Sequence, residues 1–317
     1  MQACVIAGPR QAALQTIERP EPGAGEVLLK LEGSGVCASS LPLWEGRSWF
    51  DYPQPAGAPG HEGWGRVEAV GDGVEGVAVG ERVAALTYRA HAEFDLAKAD
   101  AVVPLPAALR DAAVPGEPLG CAANIFARSE IRAGQTVAIV GIGFLGALLT
   151  QLATHAGARV IAISRRAYSL DFGKAAGAEH TIVMDDHWKV LDQVKQLTDG
   201  RWCERVIECT GLQWPLDLAG EITGERGRLV IAGYHQDGTR HVNMQMWNWR
   251  GIDVINAHER DPKMYVQGIR EAVELMAKGV LNPEPLFTHR LPLDQLGEAL
   301  ELTRTRPDGF LKAVVTT

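Results

Sequence analysis

The stretch VAIVGIGFLG, Val137–Gly146, decides the fold. Four apolar residues run into Gly141, Gly143 and Gly146, with Phe144 and Leu145 between the last two glycines, giving G-x-G-x-x-G. The apolar run ALLTQLATHAGA that follows reads as a helix, and RVIAIS, Arg159–Ser164, as a second strand. Strand, glycine turn, helix and strand form the context in which this spacing binds a dinucleotide. Gly141 permits a tight turn, Gly143 leaves room for a pyrophosphate, and Gly146 lets helix and strand pack closely. Amides freed at the helix start face the phosphate, and the helix dipole favours its negative charge.

Downstream, HTIVM, ERVIECTG, GRLVIAG and IDVINAH read as third to sixth strands separated by helical segments. This alternation predicts an α/β chain with a doubly wound parallel sheet, binding its ligand at the carboxyl ends of the strands. An NAD site would place an acid at the end of the second strand. Here the strand ends Ser164-Arg165-Arg166, with no acid and two guanidinium groups able to clamp a 2′-phosphate. NADP is therefore expected in preference to NAD. Further on, Val266, Ile269, Val273 and Met276 share one helical face, ended by Gly279 and Pro283. LPLDQLGEALELTRT reads as another helix, capped by Asp294.

Upstream, residues 1–116 are rich in glycine and proline, with short apolar runs such as VLLKLEGSGV, GRVEAVG and ERVAALTY. Short strands between such punctuation predict an all-β, barrel-like unit. Cys37 ends one of these runs, and His61-Glu62 lies on a turn leading into a strand. The 317 residues suggest about two domains. With 46% hydrophobic and 22% charged residues the composition is that of an ordinary globular protein. A net charge of −8 argues against a nucleic-acid surface. No apolar run approaches the roughly 18 residues of a membrane span, and the first residues lack the pattern of a secretion signal. Five cysteines in so long a chain are not a disulfide framework. The expectation is a cytoplasmic protein with a small-molecule partner, and with neither a membrane nor a nucleic acid as partner.

GVCAS, then GHEGWGRVEAVG, then GERVAAL, then the dinucleotide-binding half and the closing GFLKAVV together resemble the medium-chain dehydrogenase/reductase superfamily over nearly the whole chain. The G-H-E-x-x-G-x-V-x-x-V-G pattern resembles its zinc-dependent alcohol and polyol dehydrogenases. The resemblance implies a chaperonin-ten-like β-barrel catalytic domain, residues 1–117 and 258–317, and a Rossmann domain, residues 118–257, with the active site between them. It implies one catalytic zinc bound by Cys37 and His61, with Glu62 binding it or waiting beside it. Thiolate and imidazole are good zinc donors. Glu117 and Cys121, in GEPLGCAANIF, are candidates for the further ligand or water-holding acid. The distance from Glu117 to Gly134 resembles the sorbitol- and threonine-type enzymes, where the acid sits at the metal. Cys121, one helical turn later, reads as a buried small hydrophobe.

In family register, Ser39 matches a relay hydroxyl that passes the alcohol proton onward. Ser39 and Glu62 are thus the expected catalytic residues. Cys209, Gly233 and Asn256 would line the cofactor, and Lys312 would contact its phosphate. Two departures stand out. The four-cysteine lobe that holds a structural zinc in many relatives is absent, so at most one zinc per chain is expected. Ser40 stands where relatives carry an aspartate that buttresses the zinc histidine, so the support behind His61 is weaker or differently built. The implied reaction is hydride transfer between an alcohol or polyol, or its carbonyl, and NADP(H), in a homodimer or homotetramer. One alternative is a zinc-independent quinone or enone reductase of the same superfamily. Another is a catalytically silent nucleotide-binding protein kept for interaction.

Overall fold

A computed structural model describes all residues, 1–317. The chain divides into two compact units. The first holds Met1–Cys121, Arg260–Gly279 and Pro283–Thr317; the second holds Ala122–Glu259 and Val280–Asn282. No helix is long and apolar enough to cross a membrane.

The first unit begins with a hairpin of β1 (Gln2–Gly8) and β2 (Gln11–Thr16). Its main sheet contains β3 (Glu26–Gly35), β4 (Gly63–Val70), β5 (Arg82–Ala85), β6 (Phe94–Lys98) and β7 (Val102–Pro104). Helices α1 (Leu41–Trp44) and α2 (Gly116–Ser129) follow β3 and β7 respectively, and the boundary between the units falls within α2. The alternation in β3 puts Val27, Leu29 and Leu31 into one core with Val67, Val83 and Val102.

The second unit is a six-stranded sheet in which every pairing is parallel. Its strands are β8 (Thr136–Val140), β9 (Arg159–Ser164), β10 (His180–Val183), β11 (Cys203–Glu208), β12 (Thr223–Ile231) and β13 (Asp253–Asn256). They lie in the order β10-β9-β8-β11-β12-β13, the doubly wound arrangement. Helices α3 (Phe144–His155), α4 (Ala167–Ala175), α5 (His187–Leu197), α6 (Gln213–Glu221) and α7 (Met244–Arg250) connect them. Val137–Val140 are completely buried, as expected where helices cover both faces of a parallel sheet.

The chain closes the first unit with α8 (Pro262–Ala277), β14 (His289–Pro292), α9 (Leu296–Thr305) and β15 (Ala313–Thr316). Val266, Ile269, Val273 and Met276 are all buried on α8. Asp294 does not cap α9. It lies inside a 3-10 turn, Leu293–Gln295, and Gln295 takes the cap position without a side-chain bond. The tighter turn stacks residues three apart, which lets Leu293 and Leu296 enter the same core.

Candidate active site

Strand register assembles the site. β3 lies between β4 and β15, with Ser34 opposite both Gly63 and Val315. Cys37 follows β3, while His61 and Glu62 precede β4 and Lys312 precedes β15. Antiparallel pairing therefore brings all four to one end of three adjacent strands. Backbone bonds lock the junction: Gly35 N donates to Glu62 O at 3.1 Å, and Val36 N to Ala313 O at 3.0 Å. Position 35 must be glycine here, because a Cβ would lie 1.8 Å from Glu62 Oε2.

The donor atoms of Cys37, His61 and Glu62 all lie within 4.8 Å of one another. His61 Nδ1 is 2.7 Å from the Pro59 carbonyl. A carbonyl can only accept, so Nδ1 carries a proton and Nε2 is the nitrogen left to turn towards a metal. This backbone group orients the ring without an acid at position 40, so the support behind His61 is differently built. Glu62 is fully buried; Lys312 Nζ donates to its Oε1 at 2.7 Å and lies 2.6 Å from Oε2. Lys312, expected at a cofactor phosphate, is paired here with Glu62. Its ammonium is buried, and a buried ammonium requires a counter-charge, which Glu62 provides. Ser39 Oγ donates to Cys37 Sγ at 3.2 Å.

Helix α2 brings Glu117 to the same unit. Gly120 lets α2 approach α8 closely, since a Cβ there would stand 2.9 Å from Ile269 N. Cys121 Sγ donates to Glu117 Oε1 at 3.2 Å and also meets the Tyr265 hydroxyl. Cys121 is thus a half-buried polar partner of Glu117, not the apolar filler expected, because the helical repeat turns its thiol onto the carboxylate. Burial, with the Glu117 charge beside it, holds the Cys121 thiol well above the ordinary range. Burial also pushes the Glu117 carboxyl up; Glu62 adds to this and His61 opposes it. For His61, burial works against the imidazolium, yet Cys37, Glu117 and Glu62 outweigh it and carry the ring up to about 10. The His61 ring thus holds its proton among these acids in the metal-free chain. Sulfur, imidazole and carboxylate are the donors of open zinc sites, so these residues fit that ion.

The other thiols are held protonated chiefly by burial: Cys4 is pushed up to about 11, Cys203 to about 12, and Cys209 well above its usual value. His91 is buried nearby with no partner on Nδ1. Burial, reinforced by the charges of His61 and Lys312, draws it down to about 3. A cavity of about 340 Å³ opens beside His61 and Glu117.

In the second unit Gly141 has φ +102° at the turn, and a Cβ on Gly146 would lie 2.1 Å from Gly141 O. Gly143 caps α3, where an added Cβ would meet nothing within 4 Å; Phe144 and Leu145 begin the helix. Ser164 ends β9 and is buried, Arg165 is exposed, and Arg166 caps α4. Cys209 and Gly233 lie just beyond β11 and β12, and Asn256 ends β13. All of these residues thus gather at the carboxyl ends of the strands, whereas Lys312 belongs to the first unit.

One residue absent from the sequence reading organises this edge. Glu208, fully buried, accepts from Thr210 N at 2.6 Å, from Thr210 Oγ1 and from Gly211 N at 3.0 Å. It also accepts from His235 Nε2 at 3.1 Å, whose Nδ1 accepts from Arg240 Nε at 3.0 Å. An acid inside the apolar run RVIECTG was the available signal. A larger cleft of about 1180 Å³ lies in the same unit near the starts of β8, β9, β11 and β12, lined by Thr136, Arg159, Glu204 and Gly224 among others. It lies at the end opposite the strand termini where doubly wound sheets bind ligands, so size alone does not locate the chemistry.

The family profile described as "Alcohol dehydrogenase GroES-like domain" matches residues 23–165, and "Zinc-binding dehydrogenase" matches residues 145–278. The chain belongs to the zinc-type alcohol dehydrogenase family of the medium-chain dehydrogenase/reductases. It is an alcohol-dehydrogenase-type oxidoreductase with a nicotinamide cofactor. This dehydrogenase is 25% identical to sorbitol dehydrogenase of Halalkalibacterium halodurans, over 92% of each chain. It is 26% identical to D-arabitol-phosphate dehydrogenase of Enterococcus avium, over 93% of this chain and 91% of that one. A solved Sinorhizobium meliloti chain of the zinc-binding dehydrogenase class, bound to NADP, shares the fold with a TM-score of 0.86. The two are 24% identical, over 100% of this chain and 99% of that one.

Proposed function

We propose that this dehydrogenase depends on one zinc, uses NADP(H), and interconverts a polyol or related alcohol with its carbonyl. The cluster of Cys37, His61 and Glu62, with Glu117 on the adjoining cavity, carries the proposal. Cys37 Sγ, His61 Nε2 and a carboxylate from Glu62 or Glu117 would hold the ion. When bound, zinc supplies Lewis-acid polarisation of the substrate oxygen. The chain's own groups would manage the proton. Ser39 directs its hydrogen at Cys37 Sγ, which leaves its lone pairs to accept from a substrate hydroxyl. The Pro59 carbonyl fixes the tautomer of His61, and Lys312 neutralises Glu62.

The NADP reading rests on the end of β9. It offers Ser164, Arg165 and Arg166 and no carboxylate to the adenosine ribose. The polyol reading is supported by the Glu117 segment and by relatives that act on sorbitol and arabitol phosphate. Metal content and NADPH and NADH titrations on the purified protein test both halves. The expected result is about one zinc per chain, lost with activity in Cys37→Ala, and tighter binding of NADPH than NADH. A protein that binds NADPH but no metal would overturn the zinc chemistry in favour of a zinc-independent reductase.

A further inference from the structure

Resting on the reading of the strand ends in the second unit as the dinucleotide site, we propose that Tyr234, backed by His258, sets the cofactor's redox preference. The Tyr234 ring takes the nicotinamide on its face and favours the oxidised, positively charged form over the reduced one. A doubly wound sheet has two mononucleotide-binding halves. β8, β9 and β10 form one, where Ser164–Arg166 takes the adenosine; β11, β12 and β13 form the other, which leaves them the nicotinamide. Close packing links the glycine turn to this second half. A Cβ on Gly141 would lie 2.5 Å from Thr210 Cγ2, and one on Gly211 would lie 2.4 Å from the Tyr234 carbonyl oxygen. Ala232 N and Gly233 N each donate to Glu208 O at 2.8 Å, and Ala257 N donates to Ile231 O at 2.9 Å. The backbone leading into Tyr234 and into His258 is thus pinned.

The side chains, by contrast, are left open. Tyr234 is 61% exposed and His258 is exposed, and their rings stack with centroids 6.0 Å apart and planes at 27°. A lone exposed aromatic needs no explanation. A stacked pair on pinned backbone, at the ends of ligand-binding strands, suits a planar ligand. Tyr234 follows a strand two places from β8, about 10 Å away, which fits a ring joined to the pyrophosphate through one ribose. Chemistry gives the preference its sign. The nicotinamide of NADP is a pyridinium cation, and gaining a hydride makes it neutral. An aromatic face carries partial negative charge, so it attracts a stacked cation and offers the neutral ring less. The tyrosine hydroxyl has no part in this, so phenylalanine should serve as well and an aliphatic residue should not.

The test is calorimetric titration of the full chain with NADP, NADPH and 2′,5′-ADP, which keeps the phosphorylated adenosine and lacks the nicotinamide. Wild type is compared with Tyr234→Phe, Tyr234→Leu and His258→Ala. Tyr234→Leu should weaken NADP by about 10-fold and NADPH by about 3-fold, the sizes of a cation on an aromatic face and of a neutral stack. Tyr234→Phe should match wild type. His258→Ala, which removes the support behind the ring, should show the same order of losses at smaller size. All four proteins should bind 2′,5′-ADP alike, which also shows that the variants fold. A loss shared by 2′,5′-ADP, no loss for either nicotinamide form, or a greater loss for NADPH than for NADP would overturn the proposal. A wild type that prefers NAD would overturn only the NADP reading, and NAD, NADH and ADP-ribose would then decide the proposal by the same comparison. A wild type that binds no dinucleotide would overturn the site on which it rests.

Discussion

Lys312 and Glu62 are 250 positions apart, and each is there for the other. Both are buried, so removing one partner leaves an uncompensated charge, a change that costs about 3–5 kcal/mol. Lys312→Met should therefore destabilise the metal-free protein by roughly that amount in urea unfolding, and adding Glu62→Gln should recover part of the loss. A single variant no less stable than wild type would mean that the pair is not buried as described. His91 gives a second prediction. Its folded value of about 3 lies below the ordinary histidine value, so between the two the unfolded chain binds a proton that the native state refuses. Its contribution is present above pH about 6.5 and is lost as the pH falls towards 3. His91→Leu should flatten the acid limb of the stability curve by several kcal/mol, as measured by unfolding at a series of pH values. Neither residue's role was legible in the chain. A lysine in GFLKAVV and a histidine in RAHAEF declare their surroundings only once strand register has been set.

At the scale of elements, Glu208 joins two loops. It holds the turn after β11 through Thr210 and Gly211, and the segment after β12 through His235. Glu208→Gln puts an amide nitrogen among donors and leaves at least one N–H unmet, a cost of about 1–3 kcal/mol. A thermal melt should register that loss, and KM for the cofactor should rise more than kcat falls, because these loops sit at the strand ends where the dinucleotide is expected. Equal effects on kcat and KM would argue against that placement. The glycine turn, by contrast, was legible from sequence. Gly141 takes a left-handed φ and Gly146 faces the Gly141 carbonyl five residues back, so local spacing suffices to find them, although a side chain at Gly141 would also strike the distant Thr210. The cap of α9 was not, since the choice between Asp294 and Gln295 depended on which leucines the distant core would accept.

Over the whole molecule the two chemistries occupy different units. The candidate metal ligands Cys37, His61 and Glu62 lie entirely in the first, and the glycine turn with the Ser164–Arg166 segment lies in the second. Ligands that bind only the native state stabilise what they touch. Zinc should therefore slow hydrogen exchange in Gly33–Glu62 and the start of β15, and NADPH should slow it around Val140–Leu149 and Ser164–Ala167. Identical protection maps for both ligands would contradict the separation. The fold class was readable because the glycine spacing and the strand-helix alternation are local; Cys37, His61 and Glu62 were singled out by the family resemblance, and the structure brings their donor atoms within 4.8 Å of one another. What escaped, namely Lys312 on Glu62, Cys121 on Glu117 and Glu208 on His235, depends on contacts that turn geometry or distant register creates. The distribution of thiols has a practical corollary. Four of the five cysteines are kept as poorly nucleophilic thiols by burial, and the fifth, half-buried Cys37, is the one among the candidate metal ligands. A mild alkylating reagent at neutral pH should modify that one sulfur when it is bare and none when it is coordinated. Mass spectrometry of the intact chain would then count empty and filled molecules one by one, giving the protein a built-in occupancy gauge.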